Sequence, residues 1–564
     1  MEPTAPRRPG GNRLLRRYAP FIVVVVIVAV VAALFATRGG SSSKSKGNVT
    51  TSATANGEPE LFSKSSKTDW GPNCDTHTGR VAVPLLYAPP CVPPFHGDNG
   101  GATSPGVTKD TITIAVYEQQ PDLLQQTFFE QSGADETVRA EEATQQAYAD
   151  FFESHYEMYG RKVKLVFVKG SGADDDDAAA KADAIKVATQ IHAFASWGGP
   201  QMTAAYADEL AARGVLCVGD CTLAQPQQFV DQRAPNIWPT EPSFEQAAVH
   251  WAEFIGKELA GRDASHAGDP ALTSKTRRFG LIRYNDDAGT FAASANHFKD
   301  LLRKYHVTIA SDAAYSFDLS KAQETARTVI SQLKAAGVTS VILAADPVTP
   351  SFFTAEATRQ QYFPEWIVLG TVYTDTTLFG RTYDQKQWAH AFGVSVLPAR
   401  SDESVDDLAQ ILTWQTGKPP QAKTWEELVQ APLIFFTGVH LAGPHLTPQT
   451  FRDGLFRYPS GPTRVTHLHL SWGKHGIWPQ PDYFGGDDAT LIWWDPTAKG
   501  PDEVGNDGTG MYAYANQGRR YLPGQWPRGE PDVFDPANSV TLFHQLPPND
   551  TPPSYPPPTG TSKR

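Results

Sequence analysis

Cysteine is scarce in this 564-residue chain: Cys74, Cys91, Cys217 and Cys221 are all there is. No CxxC and no clustered histidines stand beside Cys217 and Cys221, which argues against metal binding there. GxGxxG and GxxxxGK[ST], the loops that cradle nucleotide phosphates, are missing, as are GxSxG and HExxH. No cofactor is therefore implied, and a nucleotide-binding or common hydrolytic signature is excluded. Positive charge is also short, with 49 Lys and Arg against 61 Asp and Glu. Residues 1–38 hold six of the arginines and one glutamate, leaving 43 basic against 60 acidic residues in the rest. Such a surface repels nucleic acid.

Long hydrophobic runs are nearly absent, which gives weight to the one that exists. Phe21 to Ala36 is wholly apolar and follows Arg7, Arg8, Arg13, Arg16 and Arg17, the charge bias that keeps an N-terminus in the cytoplasm. We read 1–38 as a cytoplasmic stub with a transmembrane helix acting as anchor, cleavage as a signal segment being the alternative. The bulk of the chain would then be extracytoplasmic, where cysteines pair. Proximity favours Cys74 with Cys91 and Cys217 with Cys221 among three connectivities. Residues 39–105 begin as a Ser-, Lys- and Thr-rich tether and continue, from Trp70, as an extension stapled between Cys74 and Cys91.

The centre of the chain alternates strands with amphipathic helices. Phe279 to Tyr284 reads as a strand, and Phe291, Ala295, Phe298 and Leu302 fall on one helical face. A strand near 307–310 precedes a helix starting at Ser320 with Gln323 three residues on, a capping-box pairing. It carries Ala322, Ala326, Val329, Ile330 and Leu333 on one side and stops at Gly337, before a third strand, Ser340 to Ala345. This alternation implies parallel strands covered by helices on both faces. A first lobe reads the same way: strands at Ile112–Val116, Val163–Val168, Phe194–Ser196 and Val215–Val218. The acidic run Asp174 to Asp177 opens a helix with Ala178, Ala182, Ile185, Ala188 and Ile191 on its apolar side, carboxylates suiting a helix N-terminus. His467, His469 and His475 are read as solvent-facing strand residues rather than zinc ligands.

Three segments together resemble the type I periplasmic binding proteins, most closely the branched-chain amino-acid-binding branch that serves ABC transporters. They are Gly106-Val107-Thr108-Lys109-Asp110-Thr111-Ile112, Tyr159-Gly160-Arg161-Lys162-Val163 and Ser196-Trp197-Gly198-Gly199. The resemblance implies an α/β fold of two doubly wound lobes with an interlobe cleft over residues 106–400, with 401–546 packing on the lobes and 547–564 a Pro-rich disordered tail. It also implies a small polar ligand in the cleft and an ABC transporter permease as partner, without catalysis. By position, Ser196, Trp197 and Gly198 correspond to the element that holds a ligand carboxylate, and Thr222 to the hydroxyl after the fourth strand. Tyr284, Asp286 and Asp346 lie at ends of second-lobe strands, and Thr371, Tyr373 and Asp375 lie near an acid for a ligand ammonium. Trp197 is bulkier than the residue usual at its turn, and Ala288 stands where the family has an aromatic. Trp197 therefore either stacks on a ring or sugar face or packs between lobes. Two other readings remain, a sensor or scaffold ectodomain and an exported hydrolase.

Overall fold

The computed structural model describes residues 57–120, 136–219, 221–222, 226–285 and 289–558. The apolar run at 21–36 and Asp286 lie outside them. No helix among the described residues is long and apolar enough to cross a membrane.

A two-stranded hairpin, β1 (Cys74–Asp75) and β2 (Arg80–Val81), comes first. The first lobe is built on five parallel strands: β3 (Thr111–Glu118), β4 (Lys162–Lys169), β5 (Ala195–Trp197), β6 (Leu216–Val218) and β7 (Ile237–Trp238). Their spatial order, β4-β3-β5-β6-β7, is a doubly wound sheet whose chain reverses direction at β3. Helices α1 (Val138–His155), α2 (Asp177–Lys186), α3 (Ala205–Ala212) and α4 (Gln227–Arg233) connect the strands. Thr137 caps α1 by accepting from Ala140 N, and Asp176 caps α2 by accepting from Ala178 N and Ala179 N, the placement of carboxylates expected there. The expected apolar side of α2 is covered only in part, where Ala188 and Ile191 just beyond its end pack on the core. Ala180, Asp183, Ala184 and Val187 face inward, while Ala178 and Ala182 are exposed. The reason is polar: the Asp183 carboxylate accepts from the Tyr117 hydroxyl at 3.0 Å and from Ser171 N at 2.8 Å, which rotates the helix about its axis.

After β7 the chain crosses to the second lobe and opens it with α5 (Phe244–Phe254), whose N-terminus carries a capping box between Ser243 and Gln246. Strands β8 (Phe279–Tyr284), β9 (Ile309–Tyr315), β10 (Ser340–Ala344), β11 (Glu365–Val368) and β12 (Ala391–Ser395) pair in parallel in the order β9-β8-β10-β11-β12. This repeats the winding of the first lobe. Helices α6 (Thr290–Lys304), α7 (Ala322–Ala335) and α8 (Pro350–Arg359) connect them. Alternate residues of each strand enter opposite cores: Leu281, Ile342, Ile367 and Phe392 pack on the face of α5 and α6, and Ile282, Val341, Val368 and Trp366 on that of α7 and α8. A strand buried on both sides reads as a continuous apolar run for this reason. The expected face of α7 is buried, but its capping box is absent. Ser320 donates instead to Asp318 Oδ1, and the helix begins two residues later with no side-chain cap.

The chain then returns to the first lobe with α9 (Asp407–Thr416), α10 (Trp425–Ala442) and α11 (Pro448–Leu455). Helix α10 is buried on nearly every side, and Phe435, Phe436 and Val439 belong to the same core as Ile112, Ile114 and Trp197. A third crossing leads back to β13 (Ala489–Pro501), which pairs antiparallel to β12 and to β14 (Asp507–Tyr514). Short strands β15 (Arg520–Tyr521) and β16 (Ser539–Val540) finish the sheet. Residues beyond 400 thus complete both cores.

The stapled extension is part of the first core. Cys74 and Cys91 are bonded, as are Cys217 and Cys221, and Val81, Val83, Leu85 and Val92 are buried among first-lobe residues. The expectation of a disordered tail is overturned for residues 547–558. Buried Asp550 accepts from Val465 N and Thr466 N, and Tyr555 donates its hydroxyl to Asp75 and accepts from Trp414 Nε1 at its carbonyl.

Gly106 shows why the opening motif carries a glycine. Its φ is +76°, and a methyl group would lie 2.1 Å from Phe194 N. Gly106→Ala is expected to destabilise the fold by about 2–4 kcal/mol, from the left-handed backbone and the collision together. A denaturant melt that leaves the midpoint unchanged would contradict this.

Candidate functional site

Open parallel sheets bind ligands outside the carboxyl ends of their strands, and the predicted residues that follow such strand ends here have unequal roles. Ser196 is wholly buried inside the first lobe, its hydroxyl 2.8 Å from that of Tyr206 and 3.2 Å from Gly198 O. Trp197 is 2% exposed and meets the rings of Phe435 and Phe436 at 5.8 and 6.2 Å, so its indole packs within the first-lobe core. Gly198 adopts a φ of +68° and donates its N–H to Val218 O at 3.3 Å. Thr222 is buried beside the Cys217–Cys221 bridge.

In the second lobe, Tyr284 packs edge-on against Phe291 and Tyr315. Asp346 turns back on its own strand end. Its carboxylate accepts from Val348 N and Thr349 N at 2.8 Å and from the Tyr315 hydroxyl at 2.5 Å, closing the turn that leads into α8. Thr371 donates to Ala345 O. Asp375 lies beneath the turn, accepting from the Ser395 hydroxyl at 2.5 Å. Burial pushes its carboxyl up to about 6, with the Ser395 bond opposing. Tyr373 is different, because its hydroxyl donates to Glu427 Oε2 of α10 at 3.1 Å and so bridges the lobes. Val372 and Tyr373 have φ of 45° and 62°. Two consecutive non-glycine residues in the left-handed region, one of them β-branched, cost on the order of 1 kcal/mol each, strain that the surrounding contacts must offset.

The crossings between the two lobes hold residues that sequence reasoning missed. Three crossing segments meet there, through Thr240 and Pro242, through Val396 and Leu397, and through 482–488. A methyl on Gly485 would come within 3.1 Å of Thr240 O, and one on Gly486 within 3.4 Å of Pro242, so these glycines let the first and third crossings touch. Arg520, with no exposed side-chain surface, donates to the carbonyls of Val396 and Leu397 and to the Asp488 carboxylate at 2.9 Å. It joins the second crossing to the third. The aromatic and glycine-rich run 482–488 forms the third crossing.

His467 and His469 are corrected from solvent-facing to deeply buried, at 2% and 3% exposure. Their partners define their charge. Thr466 donates its hydroxyl proton to Asp550, so toward Nδ1 of His467 its oxygen can only accept, while Nε2 faces Asp407 Oδ1 at 2.8 Å. In His469, Nδ1 faces Asp487 Oδ2 at 2.8 Å and Nε2 faces Gly461 O at 2.7 Å. Both nitrogens of each ring donate, which makes both rings imidazolium. Burial opposes that charge, but Asp407 and Asp487 outweigh it and raise the two pKa values. His250 and His440 each accept at Nδ1, from Trp526 Nε1 and Glu157 N, and donate at Nε2. They are neutral, and burial pushes both down to about 4. No group of three or more His, Cys, Asp or Glu suited to a metal occurs among the described residues.

A family model described as periplasmic binding protein matches residues 130–459. No curated protein matches the sequence. Among solved structures, an ABC transporter substrate-binding protein from Desulfitobacterium hafniense in complex with Leu is 15% identical, with 73% of this chain and 100% of that one covered and a TM-score of 0.43. A branched-chain amino acid transporter substrate binding protein from Streptococcus pneumoniae, in complex with isoleucine, is 11% identical, covering 72% and 100%, with a TM-score of 0.47. A solute binding protein of an ABC transporter from Rhodopseudomonas palustris, in complex with 3,4-dihydroxybenzoic acid, is 10% identical, covering 76% and 99%, with a TM-score of 0.47.

Two outcomes follow from these contacts. Trp197→Ala is expected to lower stability by about 3–5 kcal/mol, the cost of emptying a core site. An unchanged melting point would instead put the indole at the crevice. Asp407→Asn leaves His467 without its counter-charge and is expected to cost about 3 kcal/mol at pH 6. His467 has a folded pKa above its ordinary value near 6.5, so its contribution is complete below that pH and is lost as pH rises through the folded pKa. The stability gap between parent and variant should therefore shrink as pH is raised above about 6.5. A gap that widens with pH would refute the assignment. His250 and His440 act oppositely, removing stability as pH falls from about 6.5 toward 4.

Proposed function

Because this chain belongs to the periplasmic binding protein family, we propose that it is a solute-binding protein that closes its two lobes on a small polar ligand and delivers it to an ABC transporter. The observation that carries this reading is the repeated winding of the two sheets, joined by three crossings, with the turn after β11 meeting α10 across the crevice. Such an arrangement binds by hinge closure, and a ligand shifts the lobes only as far as its affinity for the closed form exceeds that for the open one. The family's members are not enzymes. The apolar run at 21–36 supports attachment to the extracytoplasmic side of a membrane, and the two disulfides support an oxidising compartment.

The placement of the predicted residues bears on the ligand. Ser196 and Asp346 spend their polar atoms on neighbours within their own lobes, so the anchor pattern of an ordinary amino-acid receptor finds little support here.

A thermal-shift screen of the protein against amino acids, amides, sugars and aromatic acids tests the proposal. One chemical class should raise the melting temperature with concentration, by mass action worth about 2.7 kcal/mol at one hundred times Kd. A flat response to every class, with no change in lobe separation, would sink it.

A further inference from the structure

We propose that Tyr373 is a positioning residue, a latch whose hydroxyl bond to Glu427 holds the two lobes together before ligand arrives. The inference rests on the solute-binding reading and adds to it what sets the balance of open and closed molecules. Three observations converge. The Tyr373 hydroxyl on the second lobe donates to Glu427 Oε2 at the start of α10, a helix embedded in the core of the first. The turn that presents Tyr373 is held in left-handed backbone at Val372 and Tyr373, a geometry that a free turn of such residues would abandon. Two residues on, the same turn is tied to the hinge. Asp375 accepts from the Ser395 hydroxyl at the end of β12, the Ser395 oxygen accepts from Leu397 N, and the Leu397 carbonyl accepts from Arg520. Gly370, where a methyl would lie 2.7 Å from the Asp375 carboxylate and 2.8 Å from Val394 O, keeps that turn pressed on β12.

The consequence is a coupling between crevice and hinge. When the lobes part, the Tyr373–Glu427 bond must break, and the turn that carried it is released at one end while Asp375 still holds the other. A closed, empty molecule is stabilised by this bond, so ligand must enter the fraction that is open, and its apparent affinity falls with that fraction.

The test uses the full chain without ligand. Its four cysteines form two disulfides, so Lys181→Cys on the first lobe and Lys321→Cys on the second, whose parent side chains are 61% and 70% exposed, accept spin labels selectively. Pulsed electron paramagnetic resonance then reads the interlobe distance in the labelled parent, in Tyr373→Phe, in Glu427→Ala and in the double variant. Tyr373→Phe should shift the distribution to longer distances with little change in melting temperature. Glu427→Ala should shift the distribution in the same direction, and the double variant no further than Glu427→Ala alone, since the Tyr373–Glu427 bond is lost in all three. Identical distributions in parent and Tyr373→Phe would overturn the latch, as would a shift in Glu427→Ala alone or a fall in melting temperature with no change in distance. A screened compound that shortens the distance equally in parent and Tyr373→Phe, when their ligand-free distances already agree, removes the latch and keeps the binding reading. A ligand-free shift with no stabilising compound keeps the latch and removes the binding reading.

Discussion

Three peptide segments run side by side between the lobes, and the burial of their backbone is the constraint on which the structure turns. Strands satisfy their carbonyls through neighbouring strands, but a crossing segment has no ladder to join, and an unpaired buried carbonyl costs free energy comparable to a lost hydrogen bond. Arg520 answers this with donors fixed in one plane, reaching Val396 O, Leu397 O and the Asp488 carboxylate together. Its charge is matched by Asp488, and that of His469 by Asp487. Glycines at 485 and 486 supply the closeness without which the first crossing could not share the same cluster.

The ends of the chain are drawn into this region as well. Leu86 of the stapled extension donates to Asp407 Oδ2, Asp407 Oδ1 takes His467, His467 meets Thr466, and Thr466 donates to Asp550 of the tail. Four segments far apart in sequence are thus linked by one buried chain of hydrogen bonds. In a low-dielectric interior each member raises the cost of losing the next. Among the described residues, the extension and the tail pack on the first lobe.

Much of the fold was legible because it follows from local periodicity. β8 spans the residues read as a strand, and α7 buries the face its apolar spacing marks. Failures arose where a polar side chain found a distant partner. Asp183 reaches Tyr117 and turns α2 away from its most apolar face. Ser320 prefers Asp318 to the helix it was expected to cap. His467 and His469 alternate like strand residues, yet each is buried by a carboxylate that no spacing rule connects to it, Asp407 lying sixty residues earlier and Asp487 eighteen later.

By itself, the sequence determined two wound α/β lobes, the short-range disulfides and the acidic character, since these depend on residue type and on spacing within one element. Only the tertiary structure decided that Ser196, Trp197 and Asp346 spend their side chains inside their own lobes, that Tyr373 reaches Glu427, and that residues beyond 400 finish both cores. Those outcomes depend on which side chains and elements meet in space, and hydrophobic period, which fixes the face a helix or strand presents, says nothing of the partner it presents that face to.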